Sequence, residues 1–137
     1  MAVITELIRV EDDGTLSFGD YTLASKTKKE DFPFNGSAYK VKTFKEITRL
    51  EGDGELVYES VPGTNVSGLK RTASGLVFEA EGGDDAQITV GVEPETSYDV
   101  KVGGSSIGVI SSNLGGKLSF GLELQDLGKV AVEVSKA

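Results

Sequence analysis

The sequence predicts an all-β fold: an antiparallel sandwich of two sheets, about ten or eleven short strands, and at most one helical turn. Three observations predict it. Glycine-centred turns recur ahead of short alternating apolar runs. These are Asp13-Gly14 before Leu16 and Phe18, Asp53-Gly54 before Leu56 and Tyr58, Ser74-Gly75 before Leu76 and Phe78, and Gly115-Gly116 before Leu118, Phe120, Leu122 and Leu124. Such dipeptides supply the positive φ angles of tight hairpin turns, and period-two alternation buries one face of a strand. Glycine itself is abundant, 18 of 137 residues, as a fold with many turns requires. Finally, helical spacing occurs only at Phe44, Ile47 and Leu50, a run too short for a helix and containing β-favouring Ile47 and Thr48.

The elements follow in order. Val3 to Val10 reads as a first strand closed by the acidic turn Glu11-Asp12-Asp13-Gly14, and Thr15 to Phe18 as a second. After Gly19-Asp20, Tyr21 to Ala24 reads as a strand and the polar run Ser25 to Asp31 as a solvated loop. That loop holds the one basic stretch, Lys26 to Lys29, with Glu30 and Asp31 directly after it. Pro33 forces Phe32-Pro33-Phe34 into an extended or turn conformation. Tyr39, Val41 and Thr43 alternate with Lys40 and Lys42, a half-exposed strand. Glu51 to Glu55 turns the chain into Leu56 to Ser60, and Val61-Pro62-Gly63-Thr64 reads as a turn near the midpoint. Six further strands are expected: Leu76 to Ala80, Ala86 to Val92, Tyr98 to Val102, Ile107 to Ile110, Leu118 to Leu124 and Val130 to Val134.

The length suits one domain, 1–137, with 1–60 and 61–137 as candidate sub-lobes. The alternation assigns the core to Leu16, Phe18, Leu56, Tyr58, Leu76, Phe78, Ile88, Val90, Tyr98, Val100, Val102, Leu118, Phe120, Leu122, Val130, Val132 and Val134. One internal echo, Gly14-Thr-Leu-Ser-Phe-Gly19 against Gly116-Lys-Leu-Ser-Phe-Gly121, reads as two hairpins meeting one steric requirement, because the flanks do not repeat.

Composition narrows the function. The net charge is −8, with 22 acidic and 14 basic residues, which disfavours a nucleic-acid partner held by clustered Lys and Arg. The chain has no Cys and no His, so thiolate chemistry and the commonest general base are missing. No Gly-x-Ser-x-Gly elbow, Ser-x-x-Lys motif or phosphate loop occurs; Gly103 to Gly108 is a hairpin turn. Oxygen-rich turns at Asp12-Asp13, Glu51 to Glu55 and Asp84-Asp85 could hold a weak Ca2+ site between two loops, but the EF-hand order fails at Leu56, so no metal and no cofactor is assigned. Glu6 and Arg9 interrupt any signal-peptide core and no apolar span crosses a membrane, which makes the expected location cytoplasmic. Export leaving no N-terminal mark, or a chain trimmed of its signal, are the alternatives.

The second half, through Tyr98-Asp-Val-Lys-Val-Gly-Gly104 and Gly116-Lys-Leu-Ser-Phe120, resembles small β-sandwich modules appended to carbohydrate-active enzymes. Over its length the chain resembles short β proteins of clostridia-like Firmicutes, some of them labelled endosialidase. The residues carrying this are Ile4-Thr-Glu-Leu-Ile8, Gly14-Thr-Leu-Ser-Phe-Gly-Asp-Tyr21, Tyr39-Lys-Val-Lys-Thr43, Tyr58-Glu-Ser-Val-Pro-Gly-Thr64 and Gln87 to Thr96. The resemblance carries over no catalytic residue. Sialidase chemistry clamps its carboxylate with three arginines, and Arg9, Arg49 and Arg71 are all this chain has; the Trp-ended box of such enzymes is absent with Trp itself.

The expected function is therefore a non-enzymatic module acting through protein contacts, as a self-assembling structural subunit or an accessory to a larger complex. Strand addition would use Val3 to Val10 or the closing strand Val130 to Val134. Carbohydrate binding is the alternative, with Phe32, Phe34, Tyr39 and Tyr21 as candidate binding residues, and a glycan-acting enzyme is a third.

Overall fold

The computed structural model describes residues 6–125 and 127–137, and every regular element in them is a strand. In chain order these are β1 Ile8–Val10, β2 Leu16–Phe18, β3 Thr27–Phe34, β4 Ser37–Phe44, β5 Ile47–Gly52, β6 Glu55–Val61 and β7 Asn65–Thr72. There follow β8 Gly75–Glu81, β9 Ala86–Gly91, β10 Ser97–Val102, β11 Ser105–Ser111, β12 Lys117–Leu122 and β13 Val130–Lys136. They form two antiparallel sheets: a seven-stranded one ordered β1-β2-β7-β8-β13-β10-β11 and a six-stranded one ordered β12-β9-β6-β5-β4-β3. Both halves of the chain supply strands to both sheets, and the buried side chains make one core cluster rather than one per sub-lobe. The start of the expected first strand, Val3 to Thr5, lies outside the described residues, and its later part begins only at Ile8.

Three of the four glycine turns are as their dipeptides imply, Gly14, Gly54 and Gly116 taking φ of 83°, 83° and 76°; Gly75 has no positive φ and opens β8 instead, packed against the Val134 carbonyl where a Cβ would not fit. In the two echoed hexapeptides Leu16 and Phe18 of β2 and Leu118 and Phe120 of β12 are all buried, one pair in each sheet. At the centre of the core Tyr58 packs edge-on against Phe18 and Phe78, with ring centroids 5.4 Å away in both cases. Its hydroxyl is 2.8 Å from Thr64 Oγ1, which also contacts Ser60 Oγ at 2.8 Å. The Thr48 hydroxyl donates to the Thr64 carbonyl at 2.8 Å and accepts from the Thr64 N–H at 3.0 Å, and it touches Thr43 Oγ1 at 2.8 Å. This polar chain fastens the crossover from β6 to β7, which carries a cis Val61–Pro62 bond, onto β4 and β5. A buried polar group without a partner is costly, and among the described residues no buried side-chain polar atom lacks one.

The described residues hold thirteen strands rather than the ten or eleven expected, with β7 in a stretch read as carrying none, and four further expectations are corrected. Ser25 to Asp31 is not a loop, since β3 begins at Thr27 and is the edge strand beyond β4. An edge strand needs few apolar residues; its charges, its irregular register between Lys29 and Phe32 and Pro33 all keep that edge from pairing further. Tyr21 to Ala24 is not a strand. The Asp20 carboxylate accepts the Thr22 N–H at 2.9 Å and the Tyr21 N–H donates to Asn65 Oδ1 at 3.0 Å, a side-chain-bonded turn.

Leu56 and Val102 are only partly buried. The β5–β6 register slips so that Leu50 opposes Tyr58 while Glu51 opposes Leu56, leaving Val57 as an extra residue. Val57 and Tyr58 are therefore both buried, and the alternation that assigned Leu56 to the core changes phase. Val102 ends β10 beside the Gly103-Gly104 turn, at the margin of the core. The closing strand β13 lies inside its sheet, hydrogen-bonded to β8 and to β10, so it has no free edge for a neighbouring chain.

Candidate interaction surface

Three of the four candidate aromatics come together. Phe32 and Phe34 on β3 and Tyr39 on β4 sit on one hairpin, with Phe32 opposite Tyr39 in the register. The Phe34 and Tyr39 rings meet edge-on at 5.6 Å, and Lys29 Nζ lies 5.9 Å above the Phe32 ring. All three pack against the core as half-buried side chains, and the Tyr39 ring rests on Gly52, where an added Cβ would come within 3.0 Å of it. Their faces are therefore largely engaged with one another and with the core. Tyr21 stands apart: the neighbouring Asp20 N–H donates to Thr43, four residues along β4 from Tyr39 or roughly 13 Å at strand rise.

The acidic turns are occupied by structural hydrogen bonds. Asp13 accepts the Thr15 N–H at 3.0 Å and its hydroxyl at 2.6 Å, while Asp53 accepts the Ala38 N–H at 2.9 Å. Glu51 and Glu59 both bind the Arg49 guanidinium. Among the described residues no three carboxylates gather where a metal ion could sit. These bonds hold the carboxyls of Glu11, Asp13, Glu51 and Asp53 below their ordinary range, through Ser17 for Glu11, Thr15 for Asp13, Arg49 for Glu51 and the Ala38 N–H for Asp53.

A carboxyl depressed in the fold contributes stability above its unfolded pKa and loses it as pH falls through the folded value. Thermal melts should accordingly stay level from neutral pH down to the ordinary carboxyl values of 4.5 and 3.8 and fall below them. Glu51→Gln should flatten part of that fall, and a melt independent of pH in the acid range would contradict the assignment.

A groove of about 730 Å3 opens at one end of the sandwich, between the β5–β6 and β7–β8 turns and the loops leading to β10 and β12. Arg49, Arg71, Lys117 and Lys136 line it together with Glu55 and Glu93. Much of its charge is neutralised internally, because Arg49 is held by Glu51 and Glu59, and Lys136 by Glu93. Ser112, outside the lining, holds the Glu93 backbone: its hydroxyl donates to the Glu93 carbonyl and accepts the Thr96 N–H at 3.0 Å.

The least protected surface is the side where β11 and β12 end their sheets. The connections from β9 to β10 and from β11 to β12 span only residues 92–96 and 112–116, so these two edges stack on one side of the sandwich. At the other side β1 touches β3. Among the described residues six large apolar side chains are exposed, and three of them belong to β11 and the connection from it to β12: Leu114 at 79 %, Val109 at 62 % and Ile107 at 49 %.

The two edges differ. On β11 the register slips between Val100 and Lys101, with Ile107 as the extra residue and Gly108 at φ 127°, and such a bulge interrupts further pairing. β12 is regular over its six residues, with no bulge, no proline and no positive φ; its inward Leu118, Phe120 and Leu122 are buried and its outward Lys117, Ser119 and Gly121 exposed. Sequence reasoning missed this surface. Ile107 and Val109 read as an ordinary strand, and only the Gly108 beside them hinted at the bulge.

No family model, curated protein or solved structure matches the chain.

Proposed function

We propose that the protein is a non-enzymatic β-sandwich module that works through protein contacts, as a self-associating structural or accessory subunit, and that its contact surface is the β11/β12 side. The observation that carries this reading is the exposure of Ile107 and Val109 on β11 and of Leu114 in the connection from β11 to β12, at the strands that end both sheets. Scattered exposed apolar residues are ordinary on any surface, whereas a row of them beside an unpaired strand edge marks a place where another chain gains from binding.

Light scattering over a wide range of concentration tests the reading. The expected result is a mass that rises above the monomer, and a fall back to the monomer when Val109→Lys and Leu114→Lys are combined, with the melting temperature unchanged. A strict monomer at every concentration that also captures no partner from its native extract would overturn it.

A further inference from the structure

The groove at the end of the sandwich holds two cations that no carboxylate among the described residues neutralises. Arg49 and Lys136 are ion-paired there, whereas Arg71 and Lys117 are exposed and make no ion pair among the described residues. A third donor stands near Lys117. Tyr98 lines the groove although it is only 1 % exposed, and its hydroxyl accepts the Glu93 N–H at 3.1 Å. The hydroxyl hydrogen itself meets no acceptor among the described residues. Glu93 follows Val92, whose N–H donates to the Gly116 carbonyl at 2.8 Å, so the phenol and Lys117 meet at one end of the groove.

Backbone donors at that end are already used. The Gly115 and Lys117 N–H groups donate to Asn113 Oδ1 at 3.0 and 2.9 Å, and the Gly116 N–H to the Asn113 carbonyl at 3.0 Å. An incoming anion is left to the side chains, and Asn113 fixes the backbone from which Lys117 projects. Sheet order then sets the distance to the other end. Arg71 lies on β7 and Tyr98 on β10, three strands away in the order β7-β8-β13-β10. At roughly 4.8 Å per strand this is about 14 Å, which an extended chain covers in about four residues at roughly 3.3 Å each. A volume of about 730 Å3 over that length leaves a cross-section of about 50 Å2, near the area of one strand with neighbours at about 4.8 and 10 Å.

We infer that the groove binds an extended acidic peptide segment of a partner protein, with one carboxylate at Arg71 and a second, about four residues on, at Lys117 and the Tyr98 hydroxyl. This rests on the protein-contact reading above and names the partner's chemistry. The Arg71 guanidinium is a planar fork that a carboxylate meets with two parallel hydrogen bonds, and the phenol adds a charge-assisted bond at the other end. The Gly115-Gly116 wall continues into Leu114, at 79 % the most exposed of the large apolar residues described, so a chain leaving the groove runs onto the proposed contact surface. Glu55 also lines the groove and makes no ion pair among the described residues; its charge opposes the segment and lowers its affinity.

Fluorescence anisotropy with three tagged peptides built on glycine and serine tests the site. One carries aspartates four positions apart, one carries them adjacent, and one has asparagines in place of the spaced aspartates. The spaced peptide should bind saturably, the adjacent one about fivefold more weakly or worse, and the asparagine one not at all. Arg71→Gln and Lys117→Gln should each weaken the spaced peptide about tenfold, and in Arg71→Gln the spaced and adjacent peptides should bind alike. Tyr98→Phe keeps the buried ring and should weaken binding about threefold or more, while Glu55→Gln should tighten it. Lys28→Gln, on β3 and outside the lining, removes one positive charge and should change nothing. Equal binding of spaced and adjacent peptides to the wild type, affinity unchanged in Arg71→Gln and Lys117→Gln, or no saturable binding would each overturn the site. Light scattering reads the contact surface separately. Association lost in the combined Val109→Lys and Leu114→Lys variant would uphold the protein-contact reading even where the peptides fail, and a monomer without any partner would overturn that reading.

Discussion

Tyr58→Ala should destabilise the fold by about 3–5 kcal/mol, the range for deleting a large aromatic side chain from a packed core. Tyr58 is fully buried between Phe18 and Phe78, so removing its ring deletes two edge-on contacts at 5.4 Å and opens a cavity where the two sheets meet. The loss has a polar part as well. Thr64 Oγ1 and Ser60 Oγ keep each other at 2.8 Å but lose the phenol that completes their chain. Tyr58→Phe isolates that part, keeps the ring contacts and should cost about 1–2 kcal/mol. Urea titration checks both values, with the midpoint moving and the slope constant. If the two variants lose equal stability, the ring is not the keystone of this core.

Gly63→Ala should also be severe, for a reason of space and not of backbone angle. A Cβ built there would stand 2.1 Å from the Phe44 carbonyl oxygen and 3.4 Å from that of Ile47, and neither backbone atom can rotate away. The Gly63 N–H donates to the Lys45 carbonyl at 3.0 Å, which holds the crossover against the β4–β5 turn. Relief of the clash would break that bond and disturb the Thr48–Thr64 contacts next to it. Overpacking a filled site costs about 1–3 kcal/mol, and the displacement of a hydrogen-bonded crossover puts this variant at or above the top of that range. Gly83→Ala is the control, because its Cβ would meet only a Tyr21 ring atom at an ordinary 3.7 Å and should change stability by less than about 0.5 kcal/mol. Equal effects at the two glycines would show that the tight approach at Gly63 is relieved at little cost.

The all-β class was legible because turn chemistry and strand periodicity are local properties. Gly14, Gly54 and Gly116 adopt the positive φ that their sequence context implies, and Leu76, Phe78, Ile88, Val90, Val132 and Val134 bury the face that alternation assigns. What was not legible depends on neighbours distant in the chain. Thr27 to Asp31 forms a strand although its side chains are polar, because an edge position beside β4 asks little burial of it. The Val57 bulge moved Leu56 out of the core, and nothing in Glu55-Leu-Val-Tyr58 signals which residue is extra. Ile8, Val41, Leu50, Val66 and Leu69 are also buried, set in place by pairings that alternation alone does not order.

Strand order limited the reading of the surface for the same reason. The alternation Val130, Val132, Val134 says that β13 has a buried face but not that it lies between β8 and β10. Only the order of the sheets moves the exposed edge from that strand to β12. Among the aromatics, Phe32, Phe34, Tyr39 and Tyr21 stood as separate candidates in the sequence; that the first three cluster and engage the core while Tyr21 stands apart required the β3–β4 register and the Asp20 turn.

Hydrogen exchange at single-residue resolution, followed as protein concentration is raised, tests most directly the proposal that the β11/β12 side is where the protein meets its own copy. The Ser119 and Gly121 amides face off the edge in the monomer and should exchange quickly in dilute solution. Those of Leu118 and Phe120 face β9 and should be protected at every concentration. Protection should appear at Ser119 and Gly121 as the molecules associate, and should not appear when Val109→Lys and Leu114→Lys are combined. Fast exchange at both amides in a solution shown to contain dimer would contradict the claim and place the contact elsewhere on the molecule.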